Sequence, residues 1–148
     1  MSTFTQILYQ IVFSTKNRDR TLIAEKRSNI FEYIWGVLNE KNCHSYRING
    51  IEDHIHIATH IHPSVSLSTL VKDIKLATSS HVRDNAVLRN FSGWQDGYAA
   101  FTYSFKEKDR LIEYIKNQEE HHKTVSFKAE LKALLMEHGI QFDEKYLL

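Results

Sequence analysis

Glu52-Asp53-His54-Ile55-His56-Ile57 reads as a strand, and the rest of the chain arranges itself around that reading. Successive side chains of an extended chain alternate, so His54 and His56 share one face while Ile55 and Ile57 share the other. The isoleucines predict a buried sheet surface, and two imidazoles side by side can grip one ion. Asp53 is at hand to orient a ring. The nearest candidate to complete such a site is Glu113-Tyr114-Ile115-Lys116-Asn117-Gln118. There the i, i+4 spacing sets Tyr114 and Gln118 on one face of a helix.

Upstream of the histidines, Asn49-Gly50 is a turn dipeptide, so Cys43–Ile48 and the strand from Ile51 to about Thr59 predict a hairpin. Before it, Ile23, Ile30, Ile34, Val37 and Leu38 form the stripe of an amphipathic helix from Leu22 to about Glu40. Residues 4–13 alternate, with Ile7, Tyr9, Ile11 and Phe13 on one side, which predicts a first strand with one buried face. Downstream, Ser66 can cap a helix that carries Leu67, Leu70, Val71, Ile74 and Ala77 inward and leaves Lys72, Lys75 and Arg83 off the stripe. After the irregular stretch Asp84–Gly97, the aromatic run Tyr98–Phe105 reads as a fourth strand. Ser104 and Glu107 form a capping box for a helix over about 107–122, and a last helix over about 127–138 stops before Gly139.

Strand, helix, strand, strand, helix, strand is the split βαβ order, an α+β fold of ferredoxin-like or RRM-like type. It predicts a four-stranded antiparallel sheet with two helices on one face, the other face free, and additional C-terminal helices. No repeat or low-complexity linker divides the chain, so residues 1–148 read as one domain with a core of about 4–105. Apolar residues at 42% and charged residues at 25% exclude disordered and collagen-like classes. No apolar run approaches the roughly 20 residues needed to span a bilayer, and the first residues lack a signal-peptide layout. With a single cysteine, Cys43, the expectation is a cytoplasmic protein with no membrane partner.

A site of two histidines and one amide oxygen with open positions suits Mg2+ or Mn2+ in use. Such an ion polarises a phosphoryl oxygen, help that a tyrosine hydroxyl needs because its ordinary pKa of about 10 makes it a weak nucleophile. His60 and His62 continue the alternation toward Pro63 and read as surface or nucleic-acid-facing residues. The net charge of +1 is low for a nucleic-acid protein, but positive residues bunch at Lys16, Arg18 and Arg20 and again at Lys72 and Lys75.

His54-Ile55-His56, Pro63 with the lysine-bearing helix after it, Gly97-Tyr98 and the run Tyr114-Ile115-Lys116-Asn117-Gln118-Glu119-Glu120-His121-His122 resemble the single-tyrosine HUH transposases of small bacterial insertion sequences. The related repeat-associated tyrosine transposases share the pattern, and Phe13-Ser14-Thr15-Lys16-Asn17-Arg18 matches a further landmark, so the resemblance spans nearly all of residues 4–125. It implies that Tyr114 attacks a phosphodiester of single-stranded DNA, forming a 5′-phosphotyrosine and freeing a 3′-hydroxyl. It implies that His54, His56 and Gln118 hold the divalent ion, that the enzyme is a homodimer, and that its substrates are hairpins at element ends. Lys16, Arg18, Arg20, Lys72 and Lys75 are then candidates for phosphate contact. His121 or His122 stands close enough in sequence to serve Tyr114 as a base, or else simply complements the helix end. Two other readings explain part of the pattern. One is a non-catalytic module stacking single-stranded nucleic acid on an open sheet face, and the other a small metallohydrolase in which Tyr114 is structural.

Overall fold

In the computed structural model, which describes residues 2–147, the central strand is β1 (Leu8–Ser14). It lies between β3 (His54–His60) and β4 (Ala99–Tyr103), with β2 (Ser45–Gly50) outside β3. The order β2-β3-β1-β4 with every neighbour antiparallel is the expected split βαβ sheet. His56 pairs with Val12 on one side and Asn49 on the other, so the histidine strand is hydrogen-bonded along both edges. His54, at the start of the strand, pairs with Ser14 of β1.

One face of the sheet, with Ile11, Phe13, Ile55 and Ile57, is covered by α1 (Ala24–Glu40) and α2 (Leu67–Asp84). Ile30, Ile34 and Leu38 of α1 and Leu70, Val71 and Ile74 of α2 close this layer. Each such side chain contributes about 1.5–3 kcal/mol when fully buried. Ser66 caps α2 as expected, accepting a hydrogen bond from Thr69 N at 3.2 Å.

The second face is not free, which corrects the expectation of an open sheet. Leu111 and Ile115 of α3 (Lys108–Lys116) pack on Leu8 and Ala58. Phe127, Leu131, Leu134 and Leu135 of α5 (Phe127–Glu137) pack on Val12 and Phe101. The reason is in β1 itself, which starts at Leu8 rather than residue 4 and carries apolar side chains on both faces. A strand buried on two sides needs two helical layers.

Two local features differ from expectation. Asn49-Gly50 ends β2 instead of forming the turn, which falls on Ile51–Asp53. A Cβ on Gly50 would run into the His54 carbonyl oxygen, so glycine here permits a close backbone approach. Asn49 Nδ2 donates to the carbonyls of Ile115 (3.0 Å) and Lys116 (3.1 Å), covering the C-terminal end of α3. The helix expected over 107–122 is interrupted. Its capping box opens a 3-10 turn at Phe105–Glu107, α3 follows, and Asn117 (φ −92°, ψ 18°) separates α3 from the short α4 (Gln118–His121). The bend turns Gln118 inward until its side chain is fully buried. Gly139, at φ 68°, follows α5 in the left-handed conformation that a helix stop requires. Among the described residues, no helix is long and apolar enough to cross a membrane.

Candidate metal and nucleophile site

The buried polar residues of the second face converge on Glu130. Its Oε1 lies 3.3 Å from His54 Nε2, 3.0 Å from His56 Nε2 and 3.0 Å from His122 Nε2. Its Oε2 accepts hydrogen bonds from the Tyr114 hydroxyl and from Gln118 Nε2, the latter at 2.8 Å. Gln118 Oε1 in turn lies 3.0 Å from His54 Nε2. Tyr114, His54, His56 and Gln118 therefore meet in one cluster. His121 Nε2 stands 3.4 Å from Glu130 Oε2 without hydrogen-bond alignment.

Each imidazole is fixed from behind. His54 Nδ1 is 2.7 Å from the Asp53 carboxylate, His122 Nδ1 donates to Val125 O at 2.6 Å, and Gln10 Nε2 donates to His56 Nδ1 at 2.9 Å. Tyr103 holds Gln10 in place by donating to its Oε1 at 2.6 Å. Phe127 stacks on the His54 ring with centroids 4.2 Å apart. His54 and His122 are held as metal-binding histidines are, with Nδ1 donating and Nε2 turned to the cluster. His56 Nδ1 instead accepts from Gln10, so its proton sits on Nε2, is donated to Glu130 Oε1 and must leave before that nitrogen takes a cation. His54, His56, His122 and Glu130 place one ligand atom each within 4.8 Å of one another, so the donor set fits a divalent ion.

Burial opposes a charge on His54, but the Asp53 and Glu130 carboxylates at its two nitrogens outweigh this and push it up to about 9. Complete burial wins at His56, which lies below its ordinary value despite Glu130. Glu130 pays a burial penalty as well, yet hydrogen bonds from His122, His54 and His56 hold its carboxylate far below the usual range. Burial, then the Glu130 charge, push the Tyr114 phenol well above its ordinary value. A cation shared with Glu130 would offset that second cause, and the hydrogen bond to the carboxylate fixes the direction of the Tyr114 hydroxyl.

Glu130 is absent from the residues expected to form the site, and His122 appears there only as a possible base. The signal for Glu130 lies in α5. Phe127, Leu131, Leu134 and Leu135 form the buried stripe, and Glu130 occupies its i+3 slot at 2% exposure. A carboxylate in such a slot requires a polar partner behind the sheet.

The five basic candidates lie outside this cluster. Ser14 pairs with His54, so the turn bearing Lys16, Arg18 and Arg20 leaves the sheet at the His54 end. Arg20 Nη2 is 3.3 Å from Glu52 Oε2. Lys75 Nζ donates to the carbonyls of Gln95 (2.8 Å) and Gly97 (2.6 Å), whereas Lys72 is exposed. The loop around Gln95 joins the two groups, because Gln95 Oε1 also accepts from Asn17 N at 2.9 Å. The covered second face removes the open stacking platform that the binding-module reading needs.

No curated protein sequence matches this chain. Among solved structures, it resembles one from Deinococcus radiodurans R1, described as a "putative transposase", with TM-score 0.62 and 16% identity over 80% of this chain and 95% of the other. It also resembles a REP-associated tyrosine transposase bound to a REP hairpin, with TM-score 0.61 and 15% identity over 84% of this chain and 76% of the other. At these identities the likeness establishes the fold. The model of the IS200-like transposase family matches residues 3–118. The chain thus belongs to the IS200-like transposase family, whose members cut and rejoin DNA.

Proposed function

We propose that this chain is a transposase that cleaves and rejoins single-stranded DNA through Tyr114, with a divalent ion held by His54, His56 and Gln118. One observation supports it most directly: the Tyr114 hydroxyl and the Nε2 atoms of both histidines meet on the Glu130 carboxylate. In the reaction the Tyr114 oxygen bonds to phosphorus and the P–O3′ bond breaks. The phenolic proton leaves to solvent while Glu130 Oε2, held as the carboxylate, orients the oxygen, and the departing 3′-oxygen takes up a proton from solvent to leave as a hydroxyl. A phosphotyrosine remains on the 5′ side, and reversal by a 3′-hydroxyl rejoins the strand without an external energy source. Bound Mg2+ or Mn2+ supplies Lewis-acid polarisation of the phosphoryl oxygen.

The remaining parts follow the same reading. Residues 1–148 work as one domain, as a homodimer, on hairpins at element ends. A hairpin-bound solved relative of like fold supports the choice of substrate. Lys16, Arg18, Arg20, Lys72 and Lys75 bind phosphates, Lys75 by exchanging a carbonyl partner for one.

The test is a denaturing gel of the protein with Mn2+ and single-stranded oligonucleotides from the flanks of its own gene, with Tyr114→Phe alongside. A slow, nuclease-sensitive band lost in the variant is expected. Hairpin binding with no band from any flank would instead indicate a binding module, and strand hydrolysis without a band a metallohydrolase. Mixing Tyr114→Phe with His56→Ala protomers shows whether one chain's tyrosine serves its partner's histidines, since only then does the mixture regain cleavage.

A further inference from the structure

The family match ends at residue 118, but the convergence around His54 and His56 does not. His122 and Glu130 come from α5 and from the bend that leads into it. Building on the metal-dependent reading above, we propose that this C-terminal segment supplies two further ligands, so that three imidazoles and one carboxylate join the Gln118 amide oxygen around the ion. In this arrangement Glu130 is also a positioning residue, with one oxygen on the ion and the other on the nucleophile.

Three observations carry this. The Nε2 atoms of His54, His56 and His122 all point at one oxygen, Glu130 Oε1, at 3.0–3.3 Å. The side chains of His54, His56 and Glu130 are at most 1% exposed and that of His122 is 3% exposed, so protein contacts alone hold them. His122 is aimed from behind like the other two, by the 2.6 Å bond from Nδ1 to Val125 O. A helix-end histidine that merely complemented a dipole would have no need of that anchor. Gln118 keeps a role in the same frame. Its carbonyl oxygen faces His54, while its amide shares Glu130 Oε2 with the Tyr114 hydroxyl. The tyrosine is thereby tied through one carboxylate to the ion's position.

The donor set also has a consequence for metal choice. Mg2+ prefers oxygen ligands and retains its waters, whereas imidazole-rich sites suit metals that accept nitrogen. A centre of three imidazoles and one carboxylate therefore discriminates against Mg2+ in favour of Mn2+. Two histidines and one amide would discriminate less.

The experiment is titration of the full chain, without DNA, with Mn2+, reading free Mn2+ by electron paramagnetic resonance. It compares wild type with His56→Ala, His122→Ala, Glu130→Ala, Glu130→Gln and Tyr114→Phe, each checked by circular dichroism. His122→Ala and Glu130→Ala are expected to weaken Mn2+ binding at least about tenfold, with Tyr114→Phe binding as wild type. Glu130→Gln preserves size and an oxygen donor but not the charge, so it should fall between wild type and Glu130→Ala, and it decides the matter if the alanine variant misfolds. Excess Mg2+ should displace Mn2+ more readily from the His122→Ala variant than from wild type. Wild-type affinity in the His122 and Glu130 variants, with a loss in His56→Ala, would overturn this inference and leave the smaller two-histidine site standing. Wild-type affinity in His56→Ala as well would remove the metal reading itself.

Discussion

Truncating Phe127 to alanine should release α5 from the sheet while the sheet itself persists. Phe127 is 5% exposed, packs with Val12 and Phe101, and stacks on His54 at an interplanar angle of 18°. Removal of a buried phenylalanine side chain costs about 3–5 kcal/mol. The other holds on α5 are Leu131, Leu134 and Leu135, at most ~1.5–3 kcal/mol each, and the buried polar contacts of Glu130. An 11-residue helix has little stability of its own once undocked. The loss thus removes a large share of what keeps α5 in place, while the first layer of Ile11, Ile55 and the α1–α2 side chains is untouched. Native-state hydrogen exchange should show α5 amides losing protection by about 10²- to 10³-fold, with β1 and β3 amides changing far less. An equal loss in all elements would mean that α5 unfolds only with the whole chain. Unchanged protection in α5 would mean that Phe127 does not anchor it, and either result refutes the argument.

Three further predictions concern the same face. His54, raised from 6.5 to about 9 in the folded chain, contributes stability that is fully present below about pH 6.5 and is lost as pH rises through about 9. With chelator present, the unfolding free energy from urea titration should therefore fall between about pH 7 and pH 9.5, by at most ~3 kcal/mol, and added Mn2+ should reduce the fall. A flat profile would refute the charged His54. Gly50→Ala forces a methyl group against the His54 carbonyl and should cost about 1–3 kcal/mol or more in thermal unfolding, with weaker Mn2+ binding because His54 must shift. Unchanged melting would show that the two strands can part there freely. Asn49→Ala removes both side-chain bonds to the end of α3 and should lower stability by about 1–3 kcal/mol. It should also reduce the Tyr114 adduct on the gel while leaving Mn2+ affinity near wild type, and a changed affinity would show that Asn49 supports the ligands directly.

The order of elements and the site's first half were legible because both rest on short-range periodicity. Alternation alone placed His54 and His56 on one face, opposite Ile55 and Ile57, whereas Tyr114 and Gln118 meet on Glu130 across the bend at Asn117, which the helical spacing did not foretell. The caps at Ser66 and Ser104 were legible too, since each is a local hydrogen-bond pattern. The second layer was not. Leu8, Val12 and Ala58 of the sheet require cover, but only the folded chain shows that α3 and α5 supply it. Asn49-Gly50 looks like a turn because the usual reason for that pair is backbone conformation. Here the glycine serves close approach to His54 and the asparagine serves a helix end far along the chain. Glu130 needed the least additional information, being a charged residue in an apolar stripe whose partners lie on a strand some seventy residues earlier.

The distance along the chain between these partners has a consequence for synthesis. Chains emerge from the N-terminus and fold as they appear. All four strands, both sheet histidines and Tyr114 are out before Glu130 follows. Until then the imidazoles face a layer that is only half built, with no carboxylate to gather them or to hold the tyrosine. A stop or frameshift after the family match but before residue 130 would thus spare every residue of that match yet leave Tyr114 and the imidazoles without the carboxylate they share. Only a chain translated past residue 130 carries the carboxylate on which Tyr114 and the imidazoles meet.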